Sequence, residues 1–270
     1  MPKYDYKFML KYKFTSGTPF KERYVILDNN FNEKYVFRKY YSDEEDIYFV
    51  RKVKSLLNKL TYDNFDRMFD TITEMNPVKK TVLDKILREI FNKAIFEPKY
   101  AEIYSKLCNR ISEKIIEVKK SNEEFREILF SICNEFFFLH LNDNDMAIKK
   151  IDKLGAIQFI GELYNINILK INLIIHYINE YNIKILSDNR PVLIEILCKF
   201  IQIIGKSVQN KSQDVIEDIF TFLGKISTDN MEKRYKFMIL DLIDLKKNKW
   251  NVRKPSIVNT QKVIVNYGDE

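Results

Sequence analysis

Glycine and proline are scarce in this chain, six of each in 270 residues. That is too few for an all-β protein, which needs a glycine or proline at many tight turns. The three cysteines, Cys108, Cys133 and Cys198, lie far apart with no metal-like spacing. Each falls on an apolar helical stripe, where a buried thiol in a reducing compartment is the expected reading. There are two histidines, His140 and His176, both isolated in sequence, so a zinc site is not expected. No apolar run reaches the ~18–20 residues that a bilayer span requires, and the N-terminus lacks a signal-peptide core, so a soluble, cytoplasmic protein without a membrane partner is expected. The net charge of +7 is modest, permitting an RNA partner without demanding one.

Hydrophobic residues make up 46% of the chain, enough for a large core. From about residue 45 to 245 they recur at helical spacing. Ile47, Val50, Val53 or Lys54, Leu57 and Leu60 form one stripe, and Phe125, Ile128, Leu129, Ile132, Cys133 and Phe136 another, with Ser121 and Glu124 as a capping box before it. Ile171, Ile174, Ile175 and Ile178 make a third stripe, Leu193, Ile196, Leu197 and Phe200 a fourth, and Tyr235, Met238, Ile239, Leu242 and Leu245 the last. Pro77, Pro98 and Pro191 stand where a first helical turn accepts them. The segments number about ten, or five antiparallel hairpins of about 40 residues. The fold class is therefore all-α, a HEAT-repeat-type solenoid, with a loosely ordered N-terminal extension.

Within that extension, 24–28 and 35–41 are β-prone and flank an Asn-rich turn at 28–32, a hairpin pattern that is marginal alone in water. Gly161, inside a strong helical pattern, costs roughly 1 kcal/mol relative to Ala and marks a place where something approaches the backbone closely. Gly205, Lys206 and Ser207 end like a phosphate-binding loop, but the required upstream glycine is Phe200, so a helix C-terminus with a glycine cap is the better reading. Asp143 and Asp145 read as caps in a solvated loop. No catalytic constellation stands out; the expected protein is a non-catalytic scaffold without a cofactor.

Several blocks resemble the middle domain of translation initiation factor 4G, in that family's order. They are 53–61 with Phe65; 90–95, 97–100 and Tyr104, Leu107 and Cys108; 154–164; 197–199 and 204–206; and 234–238, 241–245, Trp250 and Arg253. The resemblance implies a scaffold that clamps a DEAD-box RNA helicase and stimulates it, with Leu57, Leu60, Phe65, Phe159, Glu162, Arg234 and Phe237 as helicase contacts. Core packing is the competing reading for the apolar members. At the N-terminus, Tyr4, Phe8, Met9 and Leu10, continued by Tyr12 and Phe14, are similar to the peptide by which this family docks on the mRNA cap-binding protein. Met9 stands where the family has Leu, a volume-conserving change. Lys246, Lys247, Lys249, Trp250, Arg253 and Lys254 form a basic cluster around the only Trp, a candidate RNA contact in which Trp250 either stacks on a base or caps the last hairpin.

The expected organisation is a docking peptide over 1–14, a linker over 15–44, the HEAT-type domain over 45–254 and a tail over 255–270. The chain reads as a minimal scaffold, a monomer within a larger complex. A related helical scaffold serving a different DEAD-box helicase, in RNA decay or nuclear RNA processing, remains the alternative.

Overall fold

A computed structural model describes residues 25–27, 33–35, 44–75, 79–142, 150–188, 191–226 and 231–251. The chain divides into two units, residues 1–49 and 50–270. In the first, β1 (Val25–Leu27) pairs antiparallel with β2 (Glu33–Tyr35), Ile26 opposite Lys34. The paired strands overlap the two β-prone runs, the second pairing from Glu33 rather than from residue 35, and the expected turn at 28–32 lies outside the described residues.

The remaining described residues form ten α-helices: α1 (Glu44–Lys59), α2 (Phe65–Glu74), α3 (Lys80–Phe96), α4 (Ala101–Lys119), α5 (Glu123–Leu141), α6 (Lys150–Asn165), α7 (Ile171–Asp188), α8 (Pro191–Lys211), α9 (Gln213–Ile226) and α10 (Lys233–Lys247). In the second unit successive helices alternate between two layers. Each even-numbered helix packs on the next even one, and α3, α5, α7 and α9 do the same on the other side. This is the stacked-hairpin architecture of a HEAT-type solenoid, in which each repeat buries its apolar face only against its neighbours.

The buried faces follow the stripes. Val50, Val53, Leu57 and Leu60 are buried, as are all six residues of the α5 stripe and all four of α8. Aromatic rings join the layers: Phe91 of α3 stacks on Phe136 of α5 at 5.3 Å and meets Phe159 of α6 edge-on at 4.7 Å. Phe137 stacks on Tyr177 at 3.9 Å, and the buried Tyr177 hydroxyl donates to Asn134 at 2.8 Å. Such ring pairs add about 0.5–1.5 kcal/mol each beyond their buried area. On α7 Ile174 and Ile178 of the stripe are buried together with Leu173, Tyr177 and Tyr181, while Ile171 and Ile175 are half-buried, so the core face is shifted from the isoleucine stripe toward the tyrosines.

Three local expectations are corrected. The capping box before α5 is not made: Asn122 is the N-cap, Ser121 Oγ accepts from the Glu123 N–H at 3.2 Å, and the Glu124 carboxylate pairs with Lys119. Gly205 does not end a helix; it lies inside α8, six residues before its last. His176 is not isolated, since Glu180 lies one turn on with Oε1 3.9 Å from Nδ1.

Glycines set how closely the helices stack. A Cβ on Gly155 of α6 would lie 2.2 Å from the Ile95 carbonyl oxygen at the end of α3, so backbone meets backbone there. On Gly161 it would lie 2.6 Å from Ile203 Cγ2 of α8, the close approach that the sequence implied.

Candidate functional surface

The even-numbered helices carry the candidate surface, and it begins in the turn between α1 and α2. Thr61 N–H donates to Asn64 Oδ1 at 2.8 Å and Asn64 Nδ2 to the Lys59 carbonyl at 2.6 Å. This folded turn leaves Tyr62 59% exposed and sets Phe65, half-buried, at the start of α2. From α4, Lys106 reaches over the Tyr62 ring with Nζ 5.3 Å from its centre, while bonding Glu102 at 2.7 Å. One turn further, Arg110 lies over Phe69 of α2 at 4.9 Å and faces Asp66 at 3.8 Å. Cations of one helix thus cover aromatics of the previous one, a favourable arrangement for rings left partly in water.

Glu162 of α6 adds a carboxylate to this tract. Gln158 Nε2 donates to it at 2.7 Å. Partial burial raises its carboxyl above the ordinary range, the hydrogen bonds from Asn165 and Gln158 pull the other way, and Glu102 pushes it up further. Its neighbour Asn165 ties α6 to α8, accepting from Ser207 Oγ at 2.7 Å and donating to the Ile203 carbonyl at 3.2 Å. A second polar cluster lies where α6, α8 and α10 begin. Glu195 of α8, its side chain only 12% exposed, receives Arg234 Nη2 of α10 at 2.7 Å and pairs also with Lys150 of α6. Phe237, one turn from Arg234, is 62% exposed.

The structure sorts the expected helicase contacts into two kinds. Phe65, Glu162, Arg234 and Phe237 reach the surface to differing degrees, the first two half-buried and the last two exposed. Leu57, Leu60 and Phe159 are corrected. They are 2%, 7% and 0% exposed, packed where helical periodicity puts a core face, as the competing reading had it. Sequence reading missed Tyr62, Lys106 and Glu195. Tyr62 was legible as a large aromatic in a polar break between helices, whereas Glu195 is defined by partners 45 and 39 residues away in sequence.

The basic cluster also divides. The Trp250 ring is turned back onto the array: it packs over Gly205, where an added Cβ would be 2.0 Å from Cη2, and meets Phe220 edge-on at 6.2 Å. Its Nε1 donates to Gln209 at 2.6 Å, and its own N–H bonds the Leu245 carbonyl at 2.8 Å. Lys249 and Trp250 have φ of 56° and 64°, a left-handed turn that costs roughly 1–2 kcal/mol per residue and swings the ring back onto α8. Of the two readings of Trp250, this arrangement favours the cap. Lys246 bonds Glu217 at 2.8 Å and sits 4.6 Å from the Phe220 ring centre, leaving Lys247 and Lys249 exposed. Arg253 and Lys254 lie outside the described residues, as do Tyr4, Phe8, Met9, Leu10, Tyr12 and Phe14.

Among the described residues no group of three His, Cys, Asp or Glu side chains is placed to hold a metal ion, and no helix is long and apolar enough to cross a membrane.

Comparison with known proteins locates this architecture. The family model described as the MIF4G domain matches residues 50–249. Eukaryotic translation initiation factor 4G of Oryza sativa subsp. japonica is 30% identical over 247 residues, covering 82% of this chain and 14% of that protein. The Triticum aestivum protein of the same name is likewise 30% identical, covering 82% of the chain and 16% of its own length. Human eukaryotic translation initiation factor 4 gamma 2 is 25% identical over 245 residues, covering 79% of the chain and 27% of that protein. The chain thus spans about a seventh of the length of the plant relatives it matches. A family model covering most of the chain, carried on a helical solenoid whose stripes and glycine seams fall in the matched region, settles the family: the chain belongs to the MIF4G domain family, as an initiation factor 4G-type middle domain.

Proposed function

We propose that this protein is a cytoplasmic, non-catalytic scaffold of translation initiation that bridges a DEAD-box RNA helicase and the mRNA cap-binding protein. The observation that carries the reading is the coincidence of the family match over 50–249 with a tract of aromatic and charged side chains on the even-numbered helices. Tyr62 under Lys106, the half-buried Glu162, and Arg234 held by Glu195 are side chains fixed before a partner arrives. Fixing them in advance lowers the ordering cost of docking. Phe65, Glu162, Arg234 and Phe237 are the helicase contacts in this reading. Leu57, Leu60 and Phe159 support the surface from beneath. By clamping the helicase the scaffold stimulates its ATP turnover.

Residues 1–14 form the docking peptide for the cap-binding protein, joined through 15–44 to the helical domain over 45–254, with a tail over 255–270. Tyr4, Phe8, Met9 and Leu10 are its anchors, and Tyr12 and Phe14 extend the contact. Two modules on one chain raise the effective concentration of helicase near capped RNA. Lys247 and Lys249, with Arg253 and Lys254 beyond them, act as phosphate contacts, and such binding weakens steeply with salt.

The test is retention of the helicase on a cap-analogue resin loaded with cap-binding protein. Retention requires this chain and is lost with Tyr4→Ala, whereas Tyr4→Ala leaves direct helicase binding intact. Retention unchanged by Tyr4→Ala removes the bridging role of the N-terminal peptide.

A further inference from the structure

Among the described residues α10 is the last helix of the even layer, and its outer face does not look like the end of a solenoid. A terminal repeat ordinarily turns a polar face outward, because nothing stacks beyond it. The core face of α10 carries Ile239 and Leu242, both buried. On the opposite face, at the spacing of successive turns, stand Lys233, Phe237, Leu240 and Asp244. All four are exposed, Phe237 by 62% and Leu240 by 51%. A Phe–Leu pair more than half exposed at the centre of a charged stripe is a face suited to burial against a partner.

We propose that the occupant is the same helix of a second copy of this chain, packed antiparallel about a two-fold axis between Phe237 and Leu240. A two-fold contact must be self-complementary, each residue meeting a different residue that meets it in return. Antiparallel pairing centred there sets Phe237 against Leu240, Lys236 against Asp241, and Lys233 against Asp244. In these three pairs each apolar residue meets an apolar one, and each cation an anion. Few other registers do so: a shift of one turn brings Lys233 opposite Leu240 or beyond the helix start. Asp244 has only Lys247 on its own helix nearby, at 3.8 Å with both side chains mostly exposed, so it is free to gain a better-placed partner.

The stripe from Lys233 to Asp244 runs about 16 Å, three turns. Two helices crossing at a shallow angle stay in contact over that length. A contact this small is at the low end of specific interfaces, so the dimer is weak and concentration-dependent. The inference is independent of the helicase reading, but the two share Phe237. Self-association and helicase docking therefore compete through that ring, while Lys233, Leu240 and Asp244 belong to the dimer alone.

Charge reversal in the full chain tests the register. Sedimentation equilibrium over a range of concentrations shows a reversible dimer for the parent. Lys233→Glu and Asp244→Lys each set like charges opposite one another twice, and each weakens dimerisation by about tenfold or more. Lys233→Glu mixed with Asp244→Lys restores association as a heterodimer, and the double variant Lys233→Glu/Asp244→Lys restores the homodimer. All these positions are exposed, and far-UV circular dichroism melts confirm that each variant folds. A parent that stays monomeric overturns the proposal, as does a dimer indifferent to both single reversals or one that the double variant fails to rescue. Helicase binding measured beside it, sensitive to Arg234→Ala but not to Lys233→Glu, separates failure of the dimer from failure of the clamp.

Discussion

At the N-terminal end of the helical unit, α1 buries Val50, Val53 and Leu57, and its Lys54, half in water, lies 3.4 Å from a buried carboxylate of α3, Glu89, 3% exposed. At the C-terminal end, the Trp250 ring is seated over Gly205 and its Nε1 bonds Gln209. The first joint combines apolar burial with a carboxylate that burial disfavours; Glu89 Oε2 has no hydrogen-bond partner. The second combines shape fit with a satisfied polar tip, which is how a large aromatic ring is best used at an edge. The difference teaches that the two ends respond to different disturbances, the first to pH and the second to volume.

The scale for these effects comes from the middle of the array, where the largest loss is expected. Gly155→Ala drives a Cβ into the Ile95 carbonyl, a backbone atom that cannot turn aside. Even after the gain in helix propensity, the net loss is about 3 kcal/mol, read as a lowered urea midpoint. At the C-terminal end, Trp250→Ala and Gly205→Ala each cost about 2 kcal/mol, less than for a fully buried Trp because the ring is part-exposed. They act on one contact, so the double variant costs clearly less than their sum. Trp250 is the only tryptophan, so Gly205→Ala also red-shifts the protein's fluorescence. Additive losses would show that the ring does not sit on Gly205.

The N-terminal end gives a smaller, pH-dependent effect. Burial raises the Glu89 carboxyl above 4.5, with Lys54 acting in the other direction. Between 4.5 and that raised value the folded chain holds a proton that the unfolded chain has released. The contribution of this site to stability is full below 4.5 and is lost as pH rises through the window. Glu89→Gln removes that loss, so thermal midpoints of parent and variant diverge with rising pH in the variant's favour; parallel curves would contradict it. The smallest effect is on Arg234→Ala, whose own side chain is 60% exposed and whose partner Glu195 keeps Lys150, so that it contributes about 0.5 kcal/mol or less to stability. Its consequence is expected in helicase affinity instead.

The stripes of α5 and α8 were legible because core faces at helical spacing need no knowledge of partners, and Gly161 was legible as a close approach. The resemblance put Leu57 and Phe159 at a partner surface where periodicity put them in the core, and a residue that repeats at core spacing is buried whatever its block resembles. Gly205 was misread for a different reason. A glycine before Lys206 and Ser207 looks locally like a helix end, and its true partner, Trp250, is 45 residues away. The Glu195 cluster was invisible for the same cause: Lys150 and Arg234 converge on it only once α6, α8 and α10 are stacked. Local pattern finds faces; which faces meet is decided by the stacking.

The most direct measurement is RNA-stimulated ATP hydrolysis by a DEAD-box initiation helicase, with and without this chain, beside a folded Phe65→Ala/Arg234→Ala variant. Stimulation by the parent that the variant loses, at an unchanged unfolding midpoint for the array beyond the small Arg234 effect, is the predicted result. Equal turnover with and without the parent, together with no detectable binding, would contradict the helicase clamp.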